Sequence, residues 1–330
     1  MPRALIIGCG NIAGLYSSKP ADSKNFITHL QCYKDQSMEF ELACFDTSQS
    51  RLDSFCDMFN IKNRSTDLED VLDTFKPDIV SICNPDKFHY QTLSICLDKG
   101  IKKLWCEKPL TLNYSQAIEI QTKANENEAK ILVNYFRRYS PKLNHLKSIV
   151  NSNTLGSLSR IVINASKGIG SNGCHALDLM MFLFSQSEVQ LTNIVPLSLD
   201  KKMEFDLNGS FYCKWNNTPL FYSSNPGEEF NLFEIDFLFS KGRVISSNNA
   251  MIFDIFQNQP NPDFENAQIL KAKEQLHLDW GNSMLEQLKS FFKECDSKNF
   301  NLNYLIPAVK NTKLVEQIFN PFAQNGEQLD

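Results

Sequence analysis

Lys108 is the residue in this 330-residue chain most suited to chemistry. It lies in Trp105-Cys106-Glu107-Lys108-Pro109, where a short apolar strand ends in a charged pair and a proline. A proline restricts the residue before it to extended geometry, which would aim the lysine repeatably. Read locally, Lys108 is a surface lysine in a turn. Its neighbours in sequence suggest more. The chain opens with Ala4-Leu5-Ile6-Ile7 running into Gly8-Cys9-Gly10-Asn11-Ile12-Ala13. A strand followed by G-x-G-x-x-A and a helix is the dinucleotide-binding fingerprint. The first glycine permits the tight turn, the second lets the backbone approach a pyrophosphate, and the small third residue packs helix on strand. Phosphates would then sit on free amides at a helix N-terminus, with Gly8, Gly10, Asn11 and Ile12 lining them. Together the two motifs point to a nicotinamide site with a lysine at its chemical end. Partly desolvated beside a positive ring, that lysine could pass a proton to or from a substrate oxygen.

Other residues fall into place around this pair. Asp46 follows the second strand and would accept hydrogen bonds from the adenosine ribose, which favours NAD. Its plainer role is a helix cap near Ser48. Arg51 leaves room for a 2′-phosphate, so NADP stays open. Asn84, Pro85 and His89 follow another apolar strand signal, Asp78 to Cys83, and could approach the nicotinamide half with Glu107 and Lys108. Read locally they are a turn and a helix start.

The elements that must hold these residues alternate. Strand signals at 4–8, 40–46, 78–83, 103–106 and 130–134 are short, apolar and unalternating, as strands buried on both faces should be. Helix signals lie between them, from 11 onward and at 49–59, 67–75, 88–99 and 114–127, with a polar insertion at 17–25. This order predicts an α/β fold with a doubly wound parallel sheet and right-handed crossovers. After Pro141 the pattern changes. A helix at 142–150 precedes strand signals at 159–165, 189–195, 205–215, 233–239 and 250–256, which predict a more antiparallel sheet. Asn208-Gly209 and Lys241-Gly242 suit turns or bulges. Helices at 283–294 and 304–319 close the chain. We place a dinucleotide-binding domain at 1–135 and a substrate and oligomerisation domain at 136–330.

Bulk properties narrow the function. Net charge is −5 with no long basic run, which argues against nucleic acid as a partner. No apolar run approaches the roughly 20 residues that span a bilayer. Met1-Pro2-Arg3 leads straight into the first strand without a signal-peptide pattern. The ten cysteines contain no C-x-x-C pair, so no zinc ribbon or other metal site is expected. Cys44, Cys83 and Cys96 read as small core residues. This usage fits a cytoplasmic protein in a reducing compartment.

Four segments in order resemble the Gfo/Idh/MocA family, named for glucose–fructose oxidoreductase and inositol dehydrogenase. They are the Gly8–Ala13 turn, Asn84-Pro85…His89, Glu107-Lys108-Pro109 and Asn134-Tyr135-Phe136-Arg137-Arg138-Tyr139-Ser140-Pro141. The resemblance implies a Rossmann domain plus an α/β domain with a large open sheet, often used in oligomerisation. It implies NAD(P)-dependent oxidation or reduction of a sugar, cyclitol or similar polyol, with Lys108 as the catalytic residue. The segment Lys167 to Leu179 resembles the family's glycine-rich stretch leading into H-x-x-D, which would make His175 the residue sharing proton work with Lys108. Many members carry an aspartate four residues before that histidine; here Ser171 stands there, which puts a Lys–Asp–His relay in doubt. Asn172 and Lys167 would contact substrate.

Plainer roles exist for each. His175 could be a helix-start histidine holding a backbone group. Asp178 could cap the following helix or hold His175 in one tautomer. Arg137 and Arg138 could be surface charges, or one could bind a carboxylate or diphosphate. The expected reaction is hydride transfer from a secondary alcohol, with Lys108 or His175 taking the hydroxyl proton. Two other functions stay open: NAD-dependent glycoside hydrolysis, and a non-catalytic NAD-binding sensor. The expected partners are a sugar-like small molecule and a second copy of the chain, as dimer or tetramer.

Overall fold

The computed structural model describes residues 1–17, 26–35, 37–184, 190–203, 206–225, 230–295 and 305–325. The chain divides into two compact units: Met1–Phe136 with Trp280–Thr312, and Arg137–Asp279 with Lys313–Asp330.

The first unit is built from β1 (Arg3–Ile7), α1 (His29–Tyr33), β2 (Glu41–Phe45), α2 (Gln49–Phe59), β3 (Asn63–Ser65), α3 (Leu68–Phe75), β4 (Ile79–Ile82), α4 (His89–Asp98), β5 (Lys103–Cys106), α5 (Tyr114–Glu126) and β6 (Lys130–Val133). The six strands lie in the order β3-β2-β1-β4-β5-β6, and every pairing is parallel. In β1 and β4 the apolar residues Leu5, Ile6, Ile7, Ile79, Val80 and Ile82 are all buried, as strands covered on both faces require. The strand order reverses between β1 and β4. In an open parallel sheet the crevice at that switch point, outside the carboxyl ends, is where ligands bind.

The helices begin where side chains satisfy their first amides. Ser48, Asp67 and Asn113 cap α2, α3 and α5, each accepting from the amide three residues on. The helix expected from residue 11 is the exception. The glycine turn runs instead through hydrogen-bonded turns into a single 3-10 turn, Leu15–Ser17. Gly14 inside the run and Pro20 just beyond it both work against a regular helix. Apart from Ser17, the polar insertion at 17–25 lies outside the described residues. α1, which no sequence signal marked, comes after it.

The second unit contains α6 (Pro141–Asn151), β7 (Leu158–Ser166), α7 (Cys174–Leu183), β8 (Leu191–Met203), β9 (Asp206–Trp215), β10 (Thr218–Asn225), β11 (Phe233–Phe239), β12 (Gly242–Ser247), β13 (Ile252–Pro260) and β14 (Gln268–His277). Its eight strands are ordered β14-β13-β12-β11-β7-β10-β9-β8, antiparallel except for β7 against β10. The fold is therefore a parallel Rossmann sheet plus a larger, mostly antiparallel one. β9 and β11 alternate buried and half-buried residues, so one face of the sheet carries a core. β9 and β10 join through Asn216 and Asn217, at φ 45° and 70°, the backbone that a two-residue hairpin needs. Asn208-Gly209 is not a turn. It lies within β9, opposite a stretch of β8 where the register shifts. Residues 189, 205 and 304, at the edges of expected elements, lie outside the described residues.

Two helices follow, α8 (Trp280–Cys295) and α9 (Leu305–Asn325). α8 belongs to the first unit, so a division into continuous stretches 1–135 and 136–330 does not describe the chain. The reason is local. Gln287 of α8 donates to the Val133 carbonyl, Lys289 pairs with Asp35, and Phe292 packs 5.7 Å from Phe40. Sequence order gives no hint of pairings 154 residues apart. The first unit's opening stretch ends at Phe136 and the second unit starts at Arg137.

Candidate active site

Four candidate residues or motifs follow the carboxyl ends of adjacent parallel strands: Gly8 after β1, Asp46 after β2, Asn84 after β4 and Lys108 after β5. The sheet therefore brings them to one edge. Gly8 has φ +92°, and a Cβ there would meet the Asn84 amide nitrogen at 2.7 Å. Only glycine allows the β1 and β4 turns to approach so closely. Gly10 is the opposite case: a Cβ there would meet nothing within 4 Å. The carbonyls of Gly10 and Asn11 accept from Gly14, Leu15 and Tyr16, so the amides of residues 10 to 13 precede the first bond of the turn. An open backbone edge with leading amides suits a diphosphate. Ala13 is fully buried, and Gly14 lies against the Phe55 ring, where a Cβ would press at 2.8 Å. Small residues here keep α2 close to the turn.

Asp46 is buried and highly connected. One carboxylate oxygen accepts from the Cys9 amide at 2.9 Å, the other from the Ser48 amide at 2.9 Å, and Arg51 Nη1 lies 3.4 Å away. It thus ties the glycine turn to the start of α2, while Ser48 supplies the helix cap. The Arg51 side chain is largely exposed.

Beyond β4, Asn84 donates through Nδ2 to Thr92, and its buried Oδ1 has no hydrogen-bond partner among the described residues. An orphaned acceptor at the switch point fits a ligand donor. Pro85 opens the 3-10 turn Asp86–Phe88. His89 is 1% exposed. Its ring nitrogens lie 2.7 Å from the Pro109 carbonyl and 3.0 Å from the Asn84 carbonyl. Burial pushes its pKa down, against the pull of both carbonyls. The His89 ring thus lies between the β4 turn and the segment that carries Lys108, and in its neutral form donates to one of the two carbonyls. The Lys108–Pro109 peptide is cis, and Lys108 itself is half-buried.

Glu107 also faces inward. Its Oε1 accepts from His29 Nε2 at 3.0 Å and from Asn134 Nδ2 at 2.5 Å. Burial raises its pKa, but the His29 hydrogen bond and charge, the Asn134 donor and the nearby Lys108 charge together outweigh that and hold the carboxyl below its ordinary range. Sequence reasoning assigned Glu107 to the cofactor and missed His29 altogether. The missing signal was tertiary: His29 lies 78 residues away.

In the second unit β7 ends at Ser166. Lys167, exposed and at φ +66°, turns the chain into a π-helical turn, Ile169–Gly173, which leads directly into α7. Asn172 donates to the Ser166 carbonyl at 2.6 Å, so its amide holds this turn against the strand. Asp206 at the start of β9 does the same from the other side. Its carboxylate accepts from the amides of Gly170 and Ser171 at 2.8 and 3.1 Å and from the Ser171 hydroxyl at 2.5 Å. A carboxylate thus stands beside Ser171 after all, supplied from 35 residues downstream. No pattern near residue 171 could have revealed it. His175, second in α7, is 8% exposed.

Asp178 does not cap a helix start. It lies mid-helix, and both carboxylate oxygens accept from the Arg138 guanidinium, through Nε at 3.1 Å and through Nη2. Burial pushes its pKa up, while Arg138 and Arg137 pull it down by less. Arg137 packs its guanidinium 5.0 Å over the Phe233 ring, and burial lowers its pKa to about 10. Lys108 lies in the first unit and His175 in the second. Among the described residues no group of His, Cys, Asp and Glu is arranged to hold a metal ion, and no helix is long and apolar enough to cross a membrane.

Comparison with known proteins bears on this edge of the sheet. Residues 3–135 match the family model described as an oxidoreductase family with an NAD-binding Rossmann fold. A D-glucoside 3-dehydrogenase from Escherichia coli is 24% identical over 171 residues, covering 52% of this chain and 45% of that protein. The chain spans less than half the length of the curated relatives it matches. Among solved structures, a levoglucosan dehydrogenase in complex with NADH and levoglucosan superposes with a TM-score of 0.77 at 11% identity, over 98% of this chain and 97% of that one. A super-repressor mutant of Gal80p from Saccharomyces cerevisiae superposes with a TM-score of 0.73 at 15% identity, over 98% and 97%. At these identities the structural likeness is one of fold.

Proposed function

We propose, from the premise that residues 3–135 are the NAD-binding Rossmann domain of the Gfo/Idh/MocA oxidoreductase family, that this chain is an NAD(P)-dependent dehydrogenase or reductase. Its substrate is a secondary alcohol or ketone of a sugar, cyclitol or nucleotide sugar. The nicotinamide supplies or accepts the hydride when bound. The protein does the rest. The amides of residues 10 to 13 hold the diphosphate, with Gly10 clearing the approach. Asp46 accepts from the adenosine ribose, and Arg51 offers a cation where a 2′-phosphate would lie. Asn84 Oδ1 receives a donor from the nicotinamide half. Lys108 takes the hydroxyl proton, or returns it in reduction, and shares that work with His175. Lys167 and Arg137 supply charge for the substrate.

One observation carries this reading: the glycine turn, Asp46, Asn84 and Lys108 share the carboxyl edge of one parallel sheet, at its switch point. The family match covers the same residues. The sugar class is supported by a relative named for a glucoside and a fold neighbour solved with levoglucosan. Self-association through the second unit's sheet belongs to the same proposal. Val195, Tyr212 and Phe221 pair across β8, β9 and β10, with Val195 and Phe221 48% and 41% exposed.

The test is a panel of glucosides, cyclitols and nucleotide sugars with NAD and NADP, followed by nicotinamide absorbance. At least one substrate should give net reduction. Product formation from a glycoside without net reduction would replace dehydrogenation by hydrolysis. No turnover across the panel, with cofactor bound, would favour a sensor.

A further inference from the structure

In the second unit the passage from β7 to α7 is held by a carboxylate from a third element. Asp206, first in β9, is 5% exposed. Its Oδ1 accepts from the amides of Gly170 and Leu207 at 2.8 and 2.9 Å. Its Oδ2 accepts from the amide and the hydroxyl of Ser171 at 3.1 and 2.5 Å. A buried carboxylate without donors is costly, so these bonds fix the backbone that supplies them. The other flank of the same turn is tied by Asn172 to the Ser166 carbonyl.

Gly168 makes room for that carboxylate. Its φ of −77° and ψ of 176° are open to any residue, so the backbone does not call for glycine. The space does. A Cβ at Gly168 would fall on the Asp206 carboxyl group, overlapping its carbon and both oxygens. The Gly168 carbonyl accepts from the amides of Asn172 and Gly173 at 2.9 and 3.2 Å, which closes the π-helical turn. Carboxylate, glycine and turn therefore interlock. α7 continues straight from the turn, with His175 as its second residue. Gly173 stands at the N-cap of α7, and no side chain caps that helix start. The direction of its first residues is thus set by the turn before them, and the turn is set by Asp206.

We propose that Asp206 is a positioning residue for the reaction: it holds the turn 169–173 in the geometry from which α7 presents His175, and position 168 is glycine to admit it. The inference rests on reading His175 as a residue that shares the proton work. A misplacement of about 1 Å at a reacting group can cost about a hundredfold in rate. A residue that acts only through a turn can therefore govern turnover. The clamp works mainly through the backbone, because the amides of Gly170 and Ser171 are held as well as the Ser171 hydroxyl.

Hydrogen exchange, carbethoxylation and kinetics on the full chain test this. In Asp206→Ala the peptide spanning residues 168–177 should exchange faster, while peptides of the first unit keep their wild-type rates. Diethyl pyrocarbonate should modify His175 faster than in wild type, read by peptide mass spectrometry. With a substrate from the panel, kcat should fall by about tenfold or more, with KM and NAD affinity near wild type. Gly168→Ala should do the same alone and add nothing in the Asp206→Ala background, because the carboxylate it displaces is already gone. Ser171→Ala should cost less than Asp206→Ala, since two amides still hold the turn. Thermal melts confirm that each variant is folded. If Asp206→Ala does not fold, Asp206→Asn sets an amide group against the donors of Ser171 and should show the same changes. Additive effects of Gly168→Ala and Asp206→Ala, unchanged exchange at 168–177, or Ser171→Ala as severe as Asp206→Ala would overturn the proposal. His175→Ala separates it from the reading beneath it. Full turnover in His175→Ala would sink the role given to His175. Impaired turnover there, beside full turnover in Asp206→Ala, would sink the clamp. Exchange and carbethoxylation need no turnover, so they decide the clamp even if the wild type is inactive.

Discussion

At the scale of single residues, two glycines in one motif have separable duties. Gly8 has a positive φ and no room for a Cβ, whereas Gly10 has ordinary space around it. Gly8→Ala should therefore lower stability, by about 1–3 kcal/mol for a strained backbone position, and weaken cofactor binding with it. Gly10→Val should leave the melting temperature near wild type and reduce NAD affinity alone, because only a ligand needs that space. Paired melts and calorimetric titrations separate the two. A Gly10→Val protein that binds NAD as wild type does would remove the diphosphate from this turn. Glu107 gives a pH dependence. Its carboxyl is held below the ordinary value of 4.5. A depressed carboxylate stabilises the fold above its unfolded pKa and loses that contribution as pH falls through the folded one. Stability should thus fall below about pH 4.5 more steeply in wild type than in Glu107→Gln, measured by urea unfolding across the acid range.

At the scale of elements, what could be read in the sequence was what carries a strong apolar pattern, either a run buried on both faces or a helical stripe. β5 and α2 have the boundaries expected of them, because an apolar run and an amphipathic run with a serine cap leave one solution each. β3 was invisible: Asn63-Arg64-Ser65 is a three-residue polar edge strand that pairs only with β2. β14 was invisible for a similar reason, since most of its residues are exposed and the strand at the sheet's edge needs little apolar character. α1 is five residues long, too short for periodicity to register. The site divides along the same line. Gly8, Asp46, Asn84 and Lys108 sit in local motifs and were legible. His29, Ser81 and Asp206 act through contacts 78, 52 and 35 residues distant and were not. α8 makes the point testable. Gln287→Ala removes the donor to the buried Val133 carbonyl, and leaving that group unsatisfied should cost about 1–3 kcal/mol in chemical denaturation. A neutral result would mean that α8 does not support the first unit.

At the scale of the whole molecule, the second unit's sheet offers an apolar row, Val195–Tyr212–Phe221, continued by Val162 of β7. Val195 and Phe221 in this row are exposed, and such surface suits the self-association proposed for this sheet. Phe221→Asp should lower the mass measured by sedimentation to that of one chain, while the wild type sediments as a dimer or tetramer; a monomeric wild type would remove the interface. The central claim concerns Lys108 and the transfer of hydride. It is tested most directly by incubating a sugar substrate, deuterated at the oxidised carbon, with NAD and following the label by NMR. The account predicts that deuterium appears on the nicotinamide ring with wild-type protein. In Lys108→Ala the rate should fall by about a hundredfold or more while NAD affinity persists. Deuterium transfer at the wild-type rate in Lys108→Ala would contradict it.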